Sequence, residues 1–335
     1  MCGKSADKAF EAIVGRLRSA RSLLLVTHVR PDGDAIGSMV ALARGAEGDG
    51  RTVHLLAPDP PPQRYGFLCA GRTFAGPERF AVLADAADIV VVLDTCTFSQ
   101  LEQLEADLRT RREKVVAVDH HATFDDVGSV QWIDTSAAAA GVMVAELIEA
   151  LDWSIDLPAA EALMTAVTTD TGWLQFANTD GRVLRLVADW ADLGVRSDKL
   201  YRRIYQTDRP QRLALMARML ATLELHAGGR LAAMTIRKAD FQATGARAEE
   251  TENLVNEALR LASVDTVILL VENTDCVRVS LRSRDAINVA EIARRFGGGG
   301  HARAAGVRAG EDINTLKSRL IDSCAAELKK AFPQD

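Results

Sequence analysis

Short apolar runs separated by helix-compatible segments constrain the fold of this chain most strongly. Residues 23–26 are wholly apolar, and they follow residues 8–20, in which apolar side chains recur at helical spacing. Such runs are far too short to span a bilayer and are typical of buried strands. Because strands that alternate with helices form parallel sheets, we predict an α/β domain with a mostly parallel sheet flanked by helices. Further strands of this sheet are predicted at residues 52–56, 89–93, 115–118 and 130–133.

The pattern changes after the first five predicted strands. Ser136 is a favourable N-cap for an alanine-rich helix over residues 137–151. Mainly helical segments continue from there, at residues 159–167, 181–193 and 210–225. The last part of the chain then mixes the two kinds of element, with strands predicted at 231–236, 264–271 and 277–281 and helices near 249–262 and 288–296.

The length and the change of pattern together predict two domains. A chain of 335 residues is long enough for two separate cores. We place a larger domain at residues 1–195, a helical linker at 196–228 and a smaller mixed α/β domain at 229–335.

Charge and cysteine content exclude several classes of protein. Lys and Arg number 40 against 46 Asp and Glu, a net charge of -6, which argues against a general affinity for long duplex nucleic acid. The five cysteines are scattered and lack CxxC spacing, so neither a disulfide framework nor a thiolate zinc site is predicted. We expect a cytoplasmic protein without a signal peptide or membrane anchor, and the sequence leaves a homodimer open.

Metal-competent side chains follow several predicted strand and helix ends. Because ligands bind beyond the carboxyl ends of strands in an open parallel sheet, we expect these side chains to converge. Each cluster alone also suits a turn or a helix cap, but their joint occurrence favours a metal centre. The candidate ligands and their neighbours are His28, Asp32, Asp34, Asp94, Asp119, His120, His121 and Asp170.

Charge balance indicates what this centre would hold. Four carboxylates in one cleft would repel one another and raise at least one pKa. Two divalent ions would offset that charge and support hydrolysis of a phosphoester. Mixed imidazole and carboxylate ligands suit manganese. They argue against calcium, and less strongly against iron, cobalt or zinc.

A glycine-rich segment near the C-terminus indicates a second site. Residues 297–300 are four consecutive glycines followed by His301, and their backbone N–H groups could surround an anion. A flexible hinge is the alternative. Between Cys276 and Arg308 there are seven arginines against two acidic residues, which favours a short, phosphate-bearing substrate.

With these motifs the sequence resembles the DHH phosphoesterases, a family named for the triplet present here as Asp119-His120-His121. The resemblance spans nearly the whole chain, because residues 297–306 match the signature of the DHH-associated domain. Length and layout are similar to the nanoRNase/pAp phosphatase branch. That branch removes mononucleotides from very short oligonucleotides and dephosphorylates 3'-phosphoadenosine 5'-phosphate (pAp).

The resemblance also implies a role for each site residue. His28 and Asp32 would hold one manganese ion, and Asp94 would bridge to the second. The second ion would be held by Asp34, His120 and Asp170. His121 would face the scissile phosphate, with Asp119 orienting the histidines. The substrate-binding residues implied for the second domain are Arg282, Gly298, Gly299, Gly300 and His301.

The sequence therefore predicts a manganese-dependent hydrolase of short single-stranded oligonucleotides and pAp that uses two metal ions. A cyclic di-AMP or pApA phosphodiesterase of the same family is the alternative, because such enzymes share the two-domain layout. A non-catalytic nucleotide-binding protein is a second alternative. The complete ligand set argues against it.

Overall fold

The structure is a computed structural model that describes residues 3–284 and 286–333, apart from the side chains of residues 3–7 and 301. The described chain divides into two compact units, the first ending at Thr207 and the second beginning at Asp208. The predicted boundaries of 1–195, 196–228 and 229–335 stay a prediction. Within the described ranges, none of the helices combines the length and the apolar character that crossing a bilayer requires.

The first unit is built on a parallel sheet of six strands among its described residues. The strand order is β3-β2-β1-β4-β5-β6, and every neighbouring pair is parallel. The strands are β1 (Ser22–Val26), β2 (Thr52–Leu56), β3 (Phe74–Ala75), β4 (Ile89–Leu93), β5 (Val115–Asp119) and β6 (Val130–Ile133). The helices are α1 (Gly3–Ser19), α2 (Gly33–Gly48), α3 (Phe80–Ala86), α4 (Phe98–Leu101), α5 (Glu105–Thr110), α6 (Ala140–Ala150), α7 (Leu157–Asp170), α8 (Gly181–Asp192) and α9 (Ser197–Tyr205).

Side chains of the central strands enter two different cores, one on each face of the sheet. On β1, Leu23 and Leu25 join the core that α2, α6 and α7 cover. Leu24 and Val26 point to the opposite face, where they pack with residues of α3, α4 and α5. Burial on both faces explains why these strands are continuous apolar runs rather than alternating ones.

The N-terminus of α6 differs from the prediction. Ser136 does not cap the helix: its hydroxyl and its N–H both donate to Asp134 Oδ1, at 2.6 and 3.0 Å. The helix begins four residues later, at Ala140. Its first N–H groups are satisfied by a carboxylate from α2, as described below.

The second unit contains a mixed sheet in the order β11-β12-β10-β9-β8-β7 among the described residues. Strands β8 and β9 are parallel and the other neighbouring pairs are antiparallel. The strands are β7 (Glu224–His226), β8 (Leu231–Ile236), β9 (Thr266–Glu272), β10 (Val277–Ser283), β11 (Gly299–His301) and β12 (Ala304–Ala309). The helices are α10 (Pro210–Leu220), α11 (Lys238–Thr244), α12 (Val289–Arg295) and α13 (Ile313–Ala331). A larger unit with a parallel sheet and a smaller mixed unit confirm the predicted fold class.

One predicted helix of this region is wrong, and another ends earlier than predicted. Residues 249–262 form two short 3-10 segments, Ala248–Thr251 and Leu254–Arg260, because the left-handed Asn253, with φ 62°, interrupts the chain between them. The helix predicted at 210–225 ends at Leu220, and the residues after it turn into the edge strand β7.

Candidate metal centre

The carboxyl ends of β1, β4 and β5 bring the predicted ligands together. These three strands are adjacent in the sheet. His28 lies two residues beyond β1, Asp94 directly follows β4, and Asp119 ends β5. The strand order also reverses between β1 and β4, which is where open parallel sheets form ligand sites.

Helix α2 supplies two carboxylates from its first residues. Asp32 caps the helix, with Oδ1 accepting from the N–H groups of Asp34 and Ala35 at 3.0 and 3.1 Å. Asp34 is completely buried. It accepts the N–H groups of Ala140 and Gly141 at the start of α6, at 2.6 and 2.8 Å. The positive end of the α6 dipole therefore offsets part of the cost of burying a charge on Asp34.

Close packing of α2 against α7 positions the last ligand. A Cβ placed at Gly37 would lie 2.4 Å from the carbonyl oxygen of Ala162, so only glycine allows this approach. Asp170 is the last residue of α7. Its carbonyl accepts from Asn178 Nδ2 at 3.2 Å, and the same nitrogen donates to the carbonyl of Ala138 at 3.1 Å, which ties the end of α7 to the segment before α6.

The ligand atoms lie at the separations expected around shared ions. Nε2 of His120 lies 3.4 Å from Asp94 Oδ1 and 3.3 Å from Asp170 Oδ2. Nε2 of His28 lies 3.4 Å from the other oxygen of Asp94. Two atoms that each bind one ion at about 2.1 Å are about 3.0–3.5 Å apart. Among the described residues, the groups with ligand atoms within 4.8 Å of one another are His28–Asp32–Asp94, Asp34–His120–Asp170 and Asp94–His120–His121.

Two buried atoms at the middle of this cluster fit a cation. Asp94 Oδ1 and His120 Nε2 are both inaccessible to solvent, and neither has a hydrogen-bond partner in the described part of the chain. Leaving such atoms unsatisfied is costly in a protein interior. A divalent ion bound by both would satisfy them, so the residues present fit a divalent cation.

The histidines carry protons when no cation is bound. Burial opposes the charge on His28, but the hydrogen bond and the charge of Asp94 outweigh it and raise its pKa to about 9. Burial of His120 is outweighed in the same way by the surrounding carboxylates, and its pKa rises to about 10. Histidine binds a metal only when the ligating nitrogen has lost its proton, so metal binding here must release protons.

The carboxylates of the cluster differ in the direction of their pKa shifts. Burial raises the pKa of Asp94, but the two histidines beside it, His120 and His28, attract its negative charge more strongly and hold that pKa below its usual range. Burial and then the charge of Asp94 raise the pKa of Asp170 to about 7. Burial and repulsion from Asp94 and Asp170 also raise the pKa of Asp34 well above its usual range. The negative charge therefore concentrates on Asp94, the residue shared between the two groups of ligands.

His121 is held by Asp119 rather than by the ligand cluster. Its Nδ1 donates to Asp119 Oδ1 at 2.7 Å, and its backbone N–H donates to the same oxygen at 3.2 Å. The hydrogen bond to this buried carboxylate is the main cause that raises the pKa of His121. With Nδ1 engaged, Nε2 is the atom through which His121 would exchange a proton with a substrate.

The predicted substrate-binding residues lie in the second unit, on and beside the sheet. Arg282 on β10 pairs with Ala304 of β12, which in turn pairs with the backbone of His301 on β11. Burial lowers the pKa of the half-buried Arg282, and its Nη1 donates to the carbonyl of Leu281 at 3.0 Å. The predicted role of the His301 side chain lies outside the described residues.

The N–H groups of the glycine segment are not all available to an anion, contrary to the prediction. The N–H of Gly298 donates to the carbonyl of Ala293 at 2.8 Å, so this amide is not available to an anion. Gly299 and Gly300 are paired with β12 as part of a strand. A Cβ at Gly298 would lie 2.1 Å from the carbonyl of Gly306, which explains glycine there by close backbone contact.

Sequence reasoning missed the groups that hold the ligands in place. Ser38 donates to Asp34 Oδ1 at 3.1 Å, and its position four residues along α2 is a signal that helical spacing could have revealed. The N–H groups of Ala140 and Gly141 and the amide of Asn178 carry no such signal. Their positions depend on how α6 and α7 pack.

Comparison with known proteins shows the family of this chain. Residues 22–169 match the DHH family, N-terminal domain, and residues 228–327 match the DHHA1 domain. A bifunctional oligoribonuclease and PAP phosphatase NrnA from Thermus thermophilus is 31% identical, over 92% of this chain and 91% of that protein. NrnA from Bacillus subtilis is 27% identical, over 85% of this chain and 88% of that protein.

A solved structure shows the same fold over nearly the whole chain. It is an exopolyphosphatase-related protein from Bacteroides fragilis, with a TM-score of 0.91 and 22% identity, covering 96% of this chain and 98% of that one. The chain belongs to the DHH family with a DHHA1 second domain, in the branch that includes NrnA, and is a hydrolase acting on phosphoester bonds.

Proposed function

We propose that this protein is a manganese-dependent phosphoesterase that hydrolyses short oligonucleotides to mononucleotides and removes a phosphate from pAp. The observation that carries the proposal is the central position of Asp94. One of its carboxylate oxygens lies 3.4 Å from His28 and the other 3.4 Å from His120, so one residue joins two groups of ligands. The NrnA relatives named above support the choice of substrates.

The ligand geometry supports two ions rather than one. His28 and Asp32 would hold the first, and Asp94 would contact both. Asp34, His120 and Asp170 would hold the second. Ions held there would activate water and offset the charge of the phosphate. Mixed carboxylate and imidazole ligands favour manganese over calcium.

The remaining site residues would handle the substrate. His121, oriented by Asp119, would give a proton to the leaving oxygen through Nε2. Arg282, together with Gly299, Gly300 and His301, would bind a phosphate of the nucleotide. The substrates are short and single-stranded, and long duplex nucleic acid is not among them.

Location and assembly belong to the same proposal. Cys69, Cys96, Cys276 and Cys324 are all free thiols, which supports a reducing cytoplasm. A homodimer would be detected by light scattering on the purified protein.

Product analysis on a panel of substrates tests the function. The panel contains pAp, a linear dinucleotide, a pentanucleotide and cyclic di-AMP, each with manganese and with a chelator. We expect mononucleotides from the two linear oligonucleotides and phosphate from pAp, only with the metal. Hydrolysis confined to cyclic di-AMP or its linear product would assign the protein to cyclic dinucleotide turnover instead.

A further inference from the structure

The turn that follows Asp170 holds an aromatic side chain on a strained backbone. Gly172, Trp173 and Leu174 have φ values of 56°, 58° and 66°, a left-handed conformation that only glycine adopts readily. The N–H of Trp173 donates to the carbonyl of Thr168 at 2.7 Å. Strain of this kind persists where the surrounding structure imposes it, and it concentrates at functional sites.

Trp173 belongs to a cluster of three rings, which we call the aromatic platform: Trp173, Tyr201 and Tyr205. The ring of Trp173 lies 5.1 Å from that of Tyr201 and 5.7 Å from that of Tyr205, centre to centre and nearly perpendicular to both. The two tyrosines are one helical turn apart on α9 and lie 5.1 Å apart. Tyr201 is 37% exposed, and Trp173 and Tyr205 are half-buried.

Charged groups of the metal centre and of a nearby loop act on this platform. Burial raises the pKa of Tyr205, the charge of Arg64 lowers it and the charge of Asp170 raises it. Residues 63–65, which include Arg64, pack against α9, and the hydrogen bond from the Trp173 N–H to Thr168 holds the platform at the end of α7. Trp173 is also only three residues from Asp170 along the chain.

Packing alone does not account for these features. Attaching α9 to the first unit explains why Trp173 and Tyr205 are partly buried. It explains neither the exposure of Tyr201 nor the bulky residue at a left-handed position where glycine would cost less. Nucleotide-binding proteins combine aromatic rings, which stack on bases, with cations that attract the phosphates.

We propose that the aromatic platform binds a nucleobase of the substrate, beside the phosphate held at the metal centre. The inference rests on the proposed function, because it assumes that the substrate is a nucleotide. Stacking uses the face of the base, which all four bases possess, so the platform would confer little sequence preference. It would distinguish nucleotides from phosphoesters that lack a base.

Tryptophan fluorescence gives a direct test without catalysis. The chain has four tryptophans, and Trp132, Trp153 and Trp190 are buried, so Trp173 is the indole most accessible to a quencher. Adenosine is titrated into the chelator-treated full chain, with ribose as the ligand that lacks a base. We expect adenosine to quench the emission, ribose to leave it unchanged, and Trp173→Phe to abolish the quenching. No quenching by adenosine, or quenching that survives in Trp173→Phe, would overturn the proposal.

Kinetics with a dinucleotide give a second test. Loss of a stacked base contact predicts a KM about 5- to 100-fold higher for Trp173→Leu and for Tyr201→Leu. Tyr201 lies on the surface of α9, so its variant keeps the proposal testable if Trp173→Leu fails to fold. Phe176→Leu is the matched control, because Phe176 is 58% exposed in the same loop but lies outside the platform. Unchanged KM in Tyr201→Leu, or equal increases in all three variants, would contradict a base-stacking role.

The two tests separate this inference from the function on which it rests. If the wild-type protein leaves the dinucleotide intact but adenosine quenches Trp173, the proposed function fails and the base site stands. If the dinucleotide is cleaved and adenosine has no effect on the emission, the function stands and the base site is refuted.

Discussion

Asp94 Oδ1 and His120 Nε2 face each other at 3.4 Å in the interior of the first unit, and both are buried without a hydrogen-bond partner among the described residues. Such a pair is a poor structural contact, because neither atom gains a good hydrogen bond at that separation. It is a suitable pair of ligands. The functional account depends on Asp94 more than on any other side chain.

Asp94→Asn should abolish most of the activity and leave the fold intact. Asp94 has φ 62°, and asparagine tolerates this left-handed conformation as well as aspartate does. Loss of the shared charge should lower kcat by about a thousandfold or more, a loss of transition-state stabilisation of about 4 kcal/mol. Manganese-dependent hydrolysis of pAp measures the effect, and circular dichroism checks the fold.

Asp152→Asn is the matched control for that variant. Asp152 is also left-handed, with φ 55°, but it is exposed and remote from the ligand cluster in sequence. It should retain wild-type activity and metal content. Near wild-type hydrolysis by Asp94→Asn would refute the two-metal assignment.

The adjacent histidines should have separable roles. Nε2 of His120 lies among Asp34, Asp94 and Asp170, so His120→Ala should lower the manganese content of the purified protein. His121→Ala should retain the metal but lower kcat by about 100-fold or more, the usual contribution of a general acid. Elemental analysis and steady-state kinetics on the same preparations measure both effects. Unchanged metal content together with an unchanged rate in both variants would contradict both roles.

The metal-free protein should become less stable as the pH rises above neutrality. Folding raises the pKa of His28 from 6.5 to about 9 and that of His120 from 6.5 to about 10. A group with a raised folded pKa stabilises the protein fully below its unfolded pKa, and that contribution disappears as the pH passes the folded value. In the presence of a chelator, Tm should therefore fall between about pH 6.5 and pH 10.

Manganese should suppress this fall, because the ligating imidazoles are then already deprotonated. His120→Gln should reduce the fall, whereas His54→Gln should not, since His54 is exposed and outside the ligand cluster. The same decline in Tm with and without manganese would show that the ion does not bind these histidines.

The contact between α2 and α7 should limit both stability and metal binding. Gly37→Ala would place a Cβ 2.4 Å from the backbone oxygen of Ala162. Unlike a side chain, this oxygen cannot move away by changing rotamer. We expect a loss of about 1–3 kcal/mol in the free energy of unfolding. Metal affinity should also fall, because Asp34 and Asp170 lie on the two helices that are pushed apart.

Gly15→Ala is the control for that variant. A Cβ at Gly15, within α1, meets nothing within 4 Å. It should therefore stabilise the protein by up to about 1 kcal/mol through helix propensity. Chemical denaturation measures both variants, and a Gly37→Ala protein as stable as wild type would contradict the packing argument.

The central strands could be predicted from the sequence because burial on both faces makes them continuously apolar. The two-residue strand Phe74–Ala75 carries no such pattern and was missed. The convergence of His28, Asp94 and His120 was predicted because all three follow neighbouring strands. Their separations could not be predicted, because those depend on side-chain packing.

The wrong predictions have physical causes that the local sequence pattern does not reveal. Ser136 has the chemistry of an N-cap, but the carboxylate of Asp34 binds the N-terminus of α6 instead. These two hydrogen bonds join residues that are 106 and 107 positions apart in the chain, so a short window of sequence cannot reveal them. Asn253 breaks the predicted helix at 249–262 by adopting a left-handed conformation that the surrounding helical pattern does not reveal.

Anomalous diffraction from manganese-soaked crystals tests the central claim most directly. The account predicts two anomalous peaks in the first unit, and both should contact Asp94. The first peak should also contact His28 and Asp32. The second peak should also contact Asp34, His120 and Asp170. A single peak, or the absence of peaks with His28, Asp94 and His120 directed into different regions, would contradict it.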